Sequence, residues 1–153
     1  MELILKPGLP TDPRVLLIED NPGDVFLVRD VLTRGLPCEL EVAPDGARAV
    51  ERLFESDGSA KVPVPDLIIL DLNLPKISGH EVLQKLKTSL ALRSVPIVVF
   101  SSSEAPEDIR SAYDGYANCY VRKPMRLDEF FNVILAIERF WFRVVKLPAA
   151  TAM

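Results

Sequence analysis

Short apolar runs alternate along this chain with segments of helical periodicity, and that alternation constrains the fold more than any other feature. In each segment that follows a run, apolar residues recur every three or four positions. Five such pairs follow one another, and the runs are RVLLI (14–18), ELEVA (39–43), LIIL (67–70), VPIVVF (95–100) and NCYV (118–121). Strands that alternate with helices pair in parallel, because parallel strands need a crossover connection. The sequence therefore predicts an α/β fold with a five-stranded parallel sheet, doubly wound as (βα)5 in flavodoxin-like order, and helices on both faces.

The two ends of the chain differ from this alternating part. Residues 1–13 contain three prolines and a glycine, which indicates an extended arm rather than an element of the fold. The alternating part predicts one domain over residues 14–145, closed by a single long helix from about Leu127 to Val145. Residues 146–153 are then a short tail, so we expect no further domain and an output that depends on contacts.

Composition excludes several classes of protein. The chain has 153 residues, a formal net charge of −4 and 48% hydrophobic residues, which fits one globular domain without a basic surface for nucleic acid. Its apolar runs are too short to span a membrane, and its N-terminus lacks the pattern of a signal peptide, so a cytoplasmic location is expected. The two cysteines, Cys38 and Cys119, and the single histidine, His80, form no disulfide or metal-binding pattern.

Chemically active side chains stand where the predicted strands end. Glu19 and Asp20 follow the first strand, Asp71 the third, Ser101 the fourth and Lys123 the fifth. The carboxyl ends of parallel strands lie at one edge of the sheet, where ligands bind. Three carboxylates at that edge repel one another, so a cation is needed if all are to stay ionised. Because Mg²⁺ prefers oxygen ligands and Lys123 adds a second positive charge, the edge predicts a metal-assisted phosphate site.

From Arg14 to about Ile137 the chain resembles a receiver domain of the two-component response regulators. The motifs that carry the resemblance are the acidic pair Glu19-Asp20, the D-x-N-x-P stretch at 71–75, Ser101, Tyr120 and Lys123-Pro124. It implies a receiver fold and a signalling protein that takes a phosphoryl group from a sensor histidine kinase. Such a protein is not an enzyme with a separate substrate, although it catalyses its own phosphorylation and dephosphorylation.

The resemblance also assigns the metal and phosphate residues. Asp71 is implied as the phosphoacceptor and, together with Asp20, as a direct Mg²⁺ ligand. Asn73 is expected to add its backbone carbonyl, and Glu19 to act through a water molecule. Glu19 stands where an aspartate is commoner, and its longer side chain favours that water-mediated contact.

Three residues on the last two strands are implied to respond to phosphorylation. Ser101 would hydrogen-bond to the phosphoryl group, Lys123 would pair with it, and Tyr120 would change rotamer as Ser101 moves. Ser101 stands where a threonine is commoner, and Ser102 is an alternative for the switch hydroxyl. The Lys123–Pro124 peptide bond is expected to be cis.

Shorter phrases point to a subfamily. NPGDV after the acidic pair, DLNLPK, NCYVRKP and the terminal IERFW resemble the regulators paired with phytochrome-type histidine kinases. The predicted partner is therefore a sensor kinase of that type.

Other functions compete for the same residues. A phosphatase of the haloacid dehalogenase type needs a second aspartate where Asn73 stands, because that residue acts as the general acid. A flavin- or nucleotide-binding protein needs a glycine-rich or hydroxyl-rich loop after the first strand, but that loop reads EDNPGD and is acidic. A receiver-like domain that only binds partners is harder to exclude, although such domains usually lack the acidic pair, the acceptor or the lysine.

The last predicted helix has more apolar surface than one sheet face can cover. One stripe, expected to face the sheet, consists of Leu127, Phe130, Ile134, Ile137 and Trp141. A second stripe has no obvious place inside a monomer. This pattern predicts a homodimer through the helix and the chain end, with an extended intramolecular core as the alternative. The predicted interface residues are Phe131, Leu135, Phe140, Trp141, Phe142 and Val145.

Overall fold

The structure is a computed structural model that describes residues 12–35 and 37–148. Most of the predicted arm, residues 1–11, and the end of the predicted tail, residues 149–153, lie outside the described residues. The strands are β1 (Arg14–Ile18), β2 (Glu39–Ala43), β3 (Leu67–Leu70), β4 (Ile97–Ser101) and β5 (Cys119–Arg122). The helices are α1 (Pro22–Arg34), α2 (Gly46–Leu53), α3 (Gly79–Thr88), α4 (Pro106–Asp114) and α5 (Leu127–Arg139), and a π-helical turn (Phe140–Val144) follows α5.

All strand pairs are parallel and lie in the order β2-β1-β3-β4-β5, which confirms the predicted doubly wound α/β fold. The central strand β3 pairs with β1 on one side and β4 on the other. All four of its residues are buried, because helices cover both faces of the sheet there. That double cover is the reason for its uninterrupted aliphatic sequence.

Two hydrophobic clusters hold the layers together. On one face, α1 and α5 pack on the sheet through buried apolar residues, namely Val28, Val31, Leu32, Phe130, Ile134 and Ile137. On the other face, α2, α3 and α4 contribute Leu53, Val82, Leu83, Leu86 and Ala112. None of the described helices is both long enough and apolar enough to cross a membrane.

The first helix begins at the predicted residue. Asn21 is its N-cap and accepts a hydrogen bond from the Asp24 N–H at 3.1 Å, and Pro22 occupies the first helical position. This cap satisfies a backbone donor that the helix itself cannot bond. It also fixes the first turn of α1 beside the carboxyl end of β1.

The last helix differs from the prediction of one regular helix to Val145. The α-helix ends at Arg139, and in the following π-helical turn the Val145 N–H donates to the Phe140 carbonyl, five residues back. The wider spacing also brings Arg143 Nε to 3.1 Å from Glu138 Oε1. Glu138 is buried, and its ion pair with Arg143 is one that the five-residue spacing of the turn favours.

Candidate functional site

The sheet places the predicted acids and the lysine at its carboxyl edge. The ladder continues one residue beyond the strands, since the Glu19 N–H donates to the Ala43 carbonyl and the Asp71 N–H to the Ile18 carbonyl, both at 3.0 Å. On the other side, the Lys123 N–H donates to the Ser101 carbonyl at 2.8 Å. Backbone hydrogen bonds of the sheet therefore fix the backbone positions from which the Glu19, Asp71 and Lys123 side chains extend.

Glu19, Asp20 and Asp71 form a carboxylate trio. One carboxylate oxygen from each residue lies within 4.8 Å of those of the other two. Glu19 and Asp71 are buried, whereas Asp20 is exposed and leaves the trio open to solvent. Hard oxygen donors at this spacing, with one open side, fit a divalent cation that keeps some of its water.

Lys123 supplies the positive charge opposite the trio. Its Nζ donates to Glu19 Oε1 at 2.5 Å, to Asp24 Oδ2 at 2.9 Å and to Asp71 Oδ2 at 3.1 Å. Burial alone lowers the pKa of this ammonium, but the hydrogen bonds and charges of its carboxylate partners outweigh burial and raise it. Lys123 therefore stays protonated and charged throughout the physiological range.

Glu19 is the acid that burial affects most. Removal from water raises the pKa of its carboxyl to about 8, and the nearby charge of Asp71 adds to the increase. The hydrogen bond and charge of Lys123 act in the opposite direction without cancelling it. The cluster is therefore short of positive charge, and a bound cation would stabilise the ionised form of Glu19.

The loop after β3 is packed tightly against the site. The Asn73 N–H donates to Asp71 Oδ1 at 3.2 Å, so the exposed Asn73 is tied to the central acid by its backbone. Gly79, the first residue of α3, donates its N–H to the Leu72 carbonyl at 3.0 Å. A Cβ at Gly79 would lie 2.4 Å from the Asp71 carbonyl oxygen, so a glycine is needed for this approach.

The serines after β4 differ in exposure. Ser101 is the last residue of the strand and is fully buried, whereas Ser102 is exposed. Tyr120 is half-buried, and its hydroxyl donates to the Ser103 carbonyl at 2.8 Å. These contacts join β5 to the loop after β4, the two segments that were predicted to respond together.

The prediction of a cis Lys123–Pro124 peptide bond is wrong. The cis bond in the described part of the chain is Val62–Pro63, and Lys123–Pro124 is trans. Trans is favoured by about 0.5–1 kcal/mol at X–Pro bonds in the absence of other constraints. In this structure the Lys123 ammonium reaches the carboxylates with the bond in the trans form.

Sequence reasoning missed Asp24. This residue lies in the first turn of α1 and contacts Lys123, which is 99 positions away. Its position four residues after Asp20, on a helix that starts at the carboxyl edge, was the available signal. An acid in the first turn of a helix has the ordinary explanation of stabilising the helix dipole, and that explanation concealed the contact.

The predicted dimer residues fall into two groups. Leu135 and Phe140 are exposed, whereas Phe131, Trp141 and Phe142 pack in part against the core below α5, and Val145 is half-buried. A groove of about 500 Å³ runs between α1 and α5, and Val31, Phe131 and Leu135 contribute its apolar lining. Leu127, predicted to face the sheet, is 57% exposed.

Comparison with known proteins identifies the family. The profile of the response regulator receiver domain matches residues 15–135. The response regulator Rcp1 of Synechocystis sp. is 39% identical over 137 residues, which are 89% of this chain and 93% of Rcp1.

Solved structures agree with the sequence relatives. The Mn²⁺-bound form of Rcp1 has a TM-score of 0.80 and 38% identity, with 90% of this chain and 99% of that chain covered. The phosphorylated cyanobacterial phytochrome response regulator RcpA has a TM-score of 0.82 and 37% identity, with the same coverage. The bacteriophytochrome response regulator AtBRR has a TM-score of 0.66 and 34% identity, covering 90% of this chain and 100% of that chain. The chain therefore belongs to the response regulator receiver domain family.

Proposed function

We propose that this protein accepts a phosphoryl group on Asp71 from a sensor histidine kinase and signals through protein contacts. The position of the Asp71 carboxylate carries the proposal. It is buried at the end of the central strand, lies within 4.8 Å of carboxylate oxygens of Glu19 and Asp20, and is 3.1 Å from the Lys123 ammonium. A carboxylate in this position offers a nucleophilic oxygen, and the Lys123 ammonium beside it offers a positive charge that can follow the transferring group.

The transfer is a displacement at phosphorus. An oxygen of Asp71 attacks the phosphorus of a phosphohistidine, the P–N bond breaks, and its electron pair stays on the imidazole nitrogen. The product is an aspartyl phosphate, and Lys123 shifts its hydrogen bond from Asp71 to a phosphoryl oxygen. Hydrolysis follows when water attacks phosphorus and the P–O bond to Asp71 breaks, which restores the carboxylate and releases inorganic phosphate. Positioning and charge provide most of the catalysis in such reactions.

Mg²⁺ is the proposed cofactor of both reactions. Asp20 and Asp71 would hold it directly, the Asn73 carbonyl would be a further ligand, and Glu19 would act through water. The bound ion supplies positive charge that offsets the charge of the transferring group. The oxygen-only donors of the trio and the exposure of Asp20 support this choice.

Ser101 and Tyr120 are the proposed switch. Ser101 is buried at the end of β4, near the acceptor strand, and is favoured over the exposed Ser102 for contact with the phosphoryl group. The hydrogen bond of the Tyr120 hydroxyl to Ser103 supports a movement in which the loop after β4 and the β5 side chain respond together. The resulting surface of α4, β5 and α5 would carry the signal.

The proposed kinase is of the phytochrome type. RcpA and AtBRR are described as phytochrome and bacteriophytochrome response regulators, and each aligns with about nine-tenths of this chain. A cytoplasmic location, where such kinases present their phosphohistidine, completes the proposal. The domain limits at residues 14 and 145 remain a prediction.

We also propose a homodimer through α5 and the residues that follow it. Leu135, in α5, is 38% exposed, and Phe140, the first residue of the π-helical turn that follows, is 48% exposed. Leu135→Asp should convert a dimer to a monomer in light scattering at micromolar concentration, whereas Leu90→Asp, at an exposed residue after α3, should not. A monomeric wild-type protein would contradict the dimer.

The phosphorylation proposal is tested with acetyl phosphate and Mg²⁺, followed by intact-mass measurement. The wild-type protein should gain one phosphoryl group, and Asp71→Asn should gain none. Asp20→Asn should be phosphorylated slowly at millimolar Mg²⁺, because it lacks a metal ligand but keeps the acceptor. A gain that survives Asp71→Asn would refute the assignment of the acceptor.

A further inference from the structure

The ammonium of Lys123 is saturated by three carboxylates from three parts of the chain. Glu19 follows β1, Asp71 follows β3, and Asp24 comes from the first turn of α1. A lysine ammonium has three N–H donors, so each carboxylate can take one of them. Three partners on different parts of the chain therefore fix the position of the ammonium, which a single partner would not do.

Asp24 differs from the other two partners. It is not a member of the carboxylate trio that Glu19 and Asp71 form with Asp20. A cation bound to the trio would draw Glu19 and Asp71 toward itself, and phosphorylation would esterify Asp71. The contact with Asp24, 2.9 Å long, is therefore the one that can stay unchanged through both events.

Local structure holds Asp24 in place. Its N–H donates to Asn21 Oδ1 at 3.1 Å, so the helix cap and the lysine contact share one residue. The side chain is only 22% exposed, and the helix behind it packs against α5 through Val28 and Val31. The carboxylate is therefore presented by a rigid turn rather than by a mobile loop.

We propose that Asp24 is a positioning residue that holds the Lys123 ammonium at the phosphoryl site while the transfer proceeds. This role rests on the proposed function of Asp71. Asp24 is not one of the residues in the receiver-domain motifs described above. During transfer, Lys123 moves one hydrogen bond from Asp71 to a phosphoryl oxygen, and Asp24 keeps another. No bond to Asp24 forms or breaks, and its proton count does not change.

The negative charge of Asp24 has a second consequence. The phosphodonor is an anion, and an additional carboxylate near its path opposes binding. Loss of Asp24 should therefore slow the transfer step without weakening the binding of the donor. That separation distinguishes positioning from a general loss of structure.

Two variants and a matched control test the role. Asp24→Ala removes the anchor, and Asp24→Asn keeps an oxygen acceptor but removes the charge. Asp30→Ala removes an acid from the same helix whose nearest partner is Arg34, at 3.1 Å, rather than Lys123. Rates of phosphorylation are measured at increasing acetyl phosphate concentration in saturating Mg²⁺, and thermal unfolding checks that each variant is folded.

The maximal rate should fall about tenfold in Asp24→Ala, as expected when a hydrogen bond between charged groups is lost. Asp24→Asn should fall between this variant and the wild type, and Asp30→Ala should match the wild type. The acetyl phosphate concentration at half-maximal rate should stay the same or decrease in both Asp24 variants. An unchanged maximal rate in folded Asp24→Ala would overturn the proposal.

Two further measurements do not depend on phosphorylation. Proton-detected NMR of the ¹⁵N-labelled lysine ammonium should show slow hydrogen exchange for Lys123 in the wild-type protein and faster exchange in Asp24→Ala. Calorimetric titration should give Mg²⁺ affinities for the wild-type protein and Asp24→Ala that agree within about twofold, since Asp24 is outside the trio. Unchanged exchange at Lys123, or a large loss of Mg²⁺ affinity, would refute the anchoring role. If the wild-type protein is not phosphorylated at Asp71, the proposed function fails, while the exchange measurement still decides whether Asp24 restrains Lys123.

Discussion

Lys123→Met should destabilise the metal-free protein and make it depend on a divalent cation. The side chain of Lys123 is 9% exposed, and its ammonium bonds to Glu19, Asp24 and Asp71. Methionine keeps an unbranched apolar stem of similar length. The substitution therefore removes the charge with little change in the space filled beside Phe100, whose ring centroid lies 5.8 Å from Nζ.

The size of the effect follows from the carboxylates that are left without a counter-charge. Removing one partner of a buried ion pair costs about 3–5 kcal/mol, because the other charge stays buried and unpaired. Glu19 limits this loss, because burial raises the pKa of its carboxyl to about 8 and so leaves it largely uncharged at neutral pH. We therefore expect a loss of about 3 kcal/mol, the low end of that range. For a domain of this size it corresponds to a decrease of roughly 6–12 °C in the unfolding temperature.

Thermal unfolding in EDTA and in saturating Mg²⁺ measures this effect. The ion binds the same carboxylates, so it should raise the unfolding temperature more in Lys123→Met than in the wild-type protein. Lys87→Met is the matched control, because the partners of Lys87 Nζ are uncharged oxygens. They are the carbonyls of Arg93 and Val95 and Asn118 Oδ1. That control should lose stability without a larger response to Mg²⁺. An equal response in wild type and Lys123→Met would show that unpaired carboxylates are not the cause of the destabilisation.

Three further predictions concern the surroundings of the site. Gly79→Ala should lower the free energy of unfolding by about 1–3 kcal/mol, as overpacking does, because the new Cβ would lie 2.4 Å from the Asp71 carbonyl oxygen. Chemical denaturation measures this loss, and an unchanged midpoint would show that the loop can relax. In metal-free buffer, stability should fall as pH rises from about 4.5 to about 8, because the raised pKa of Glu19 makes the folded protein hold more protons than the unfolded chain in that window. Glu19→Gln should flatten that part of the pH profile, and a slope that persists would assign it to another group. Ser78→Ala should cost about 1 kcal/mol of unfolding free energy, since Ser78 Oγ accepts from the Glu81 N–H at the start of α3, and a stability equal to wild type would contradict this cap.

Most of the fold was predictable because its signals are local. The aliphatic run of β3 requires cover on both faces, and Asn21-Pro22 marks a helix start whatever the rest of the chain does. Glu19, Asp71 and Ser101 were placed together because every parallel strand ends at the same edge of its sheet. The prediction of α5 was less successful, since the ion pair of Glu138 with Arg143 across the π-helical turn is not visible in apolar periodicity.

The contacts of the long side chains were not predictable in the same way. Strand order and the residue types at the strand ends are readable in the sequence, and they set which functional groups reach the carboxyl edge. Three features depend on packing instead: the contact of Lys123 with Asp24, the trans Lys123–Pro124 bond and the need for a glycine at position 79. The backbone of a sheet sets where a side chain starts. Its partner depends on how α1 and the loops pack around that edge, and no local pattern in the sequence records that packing.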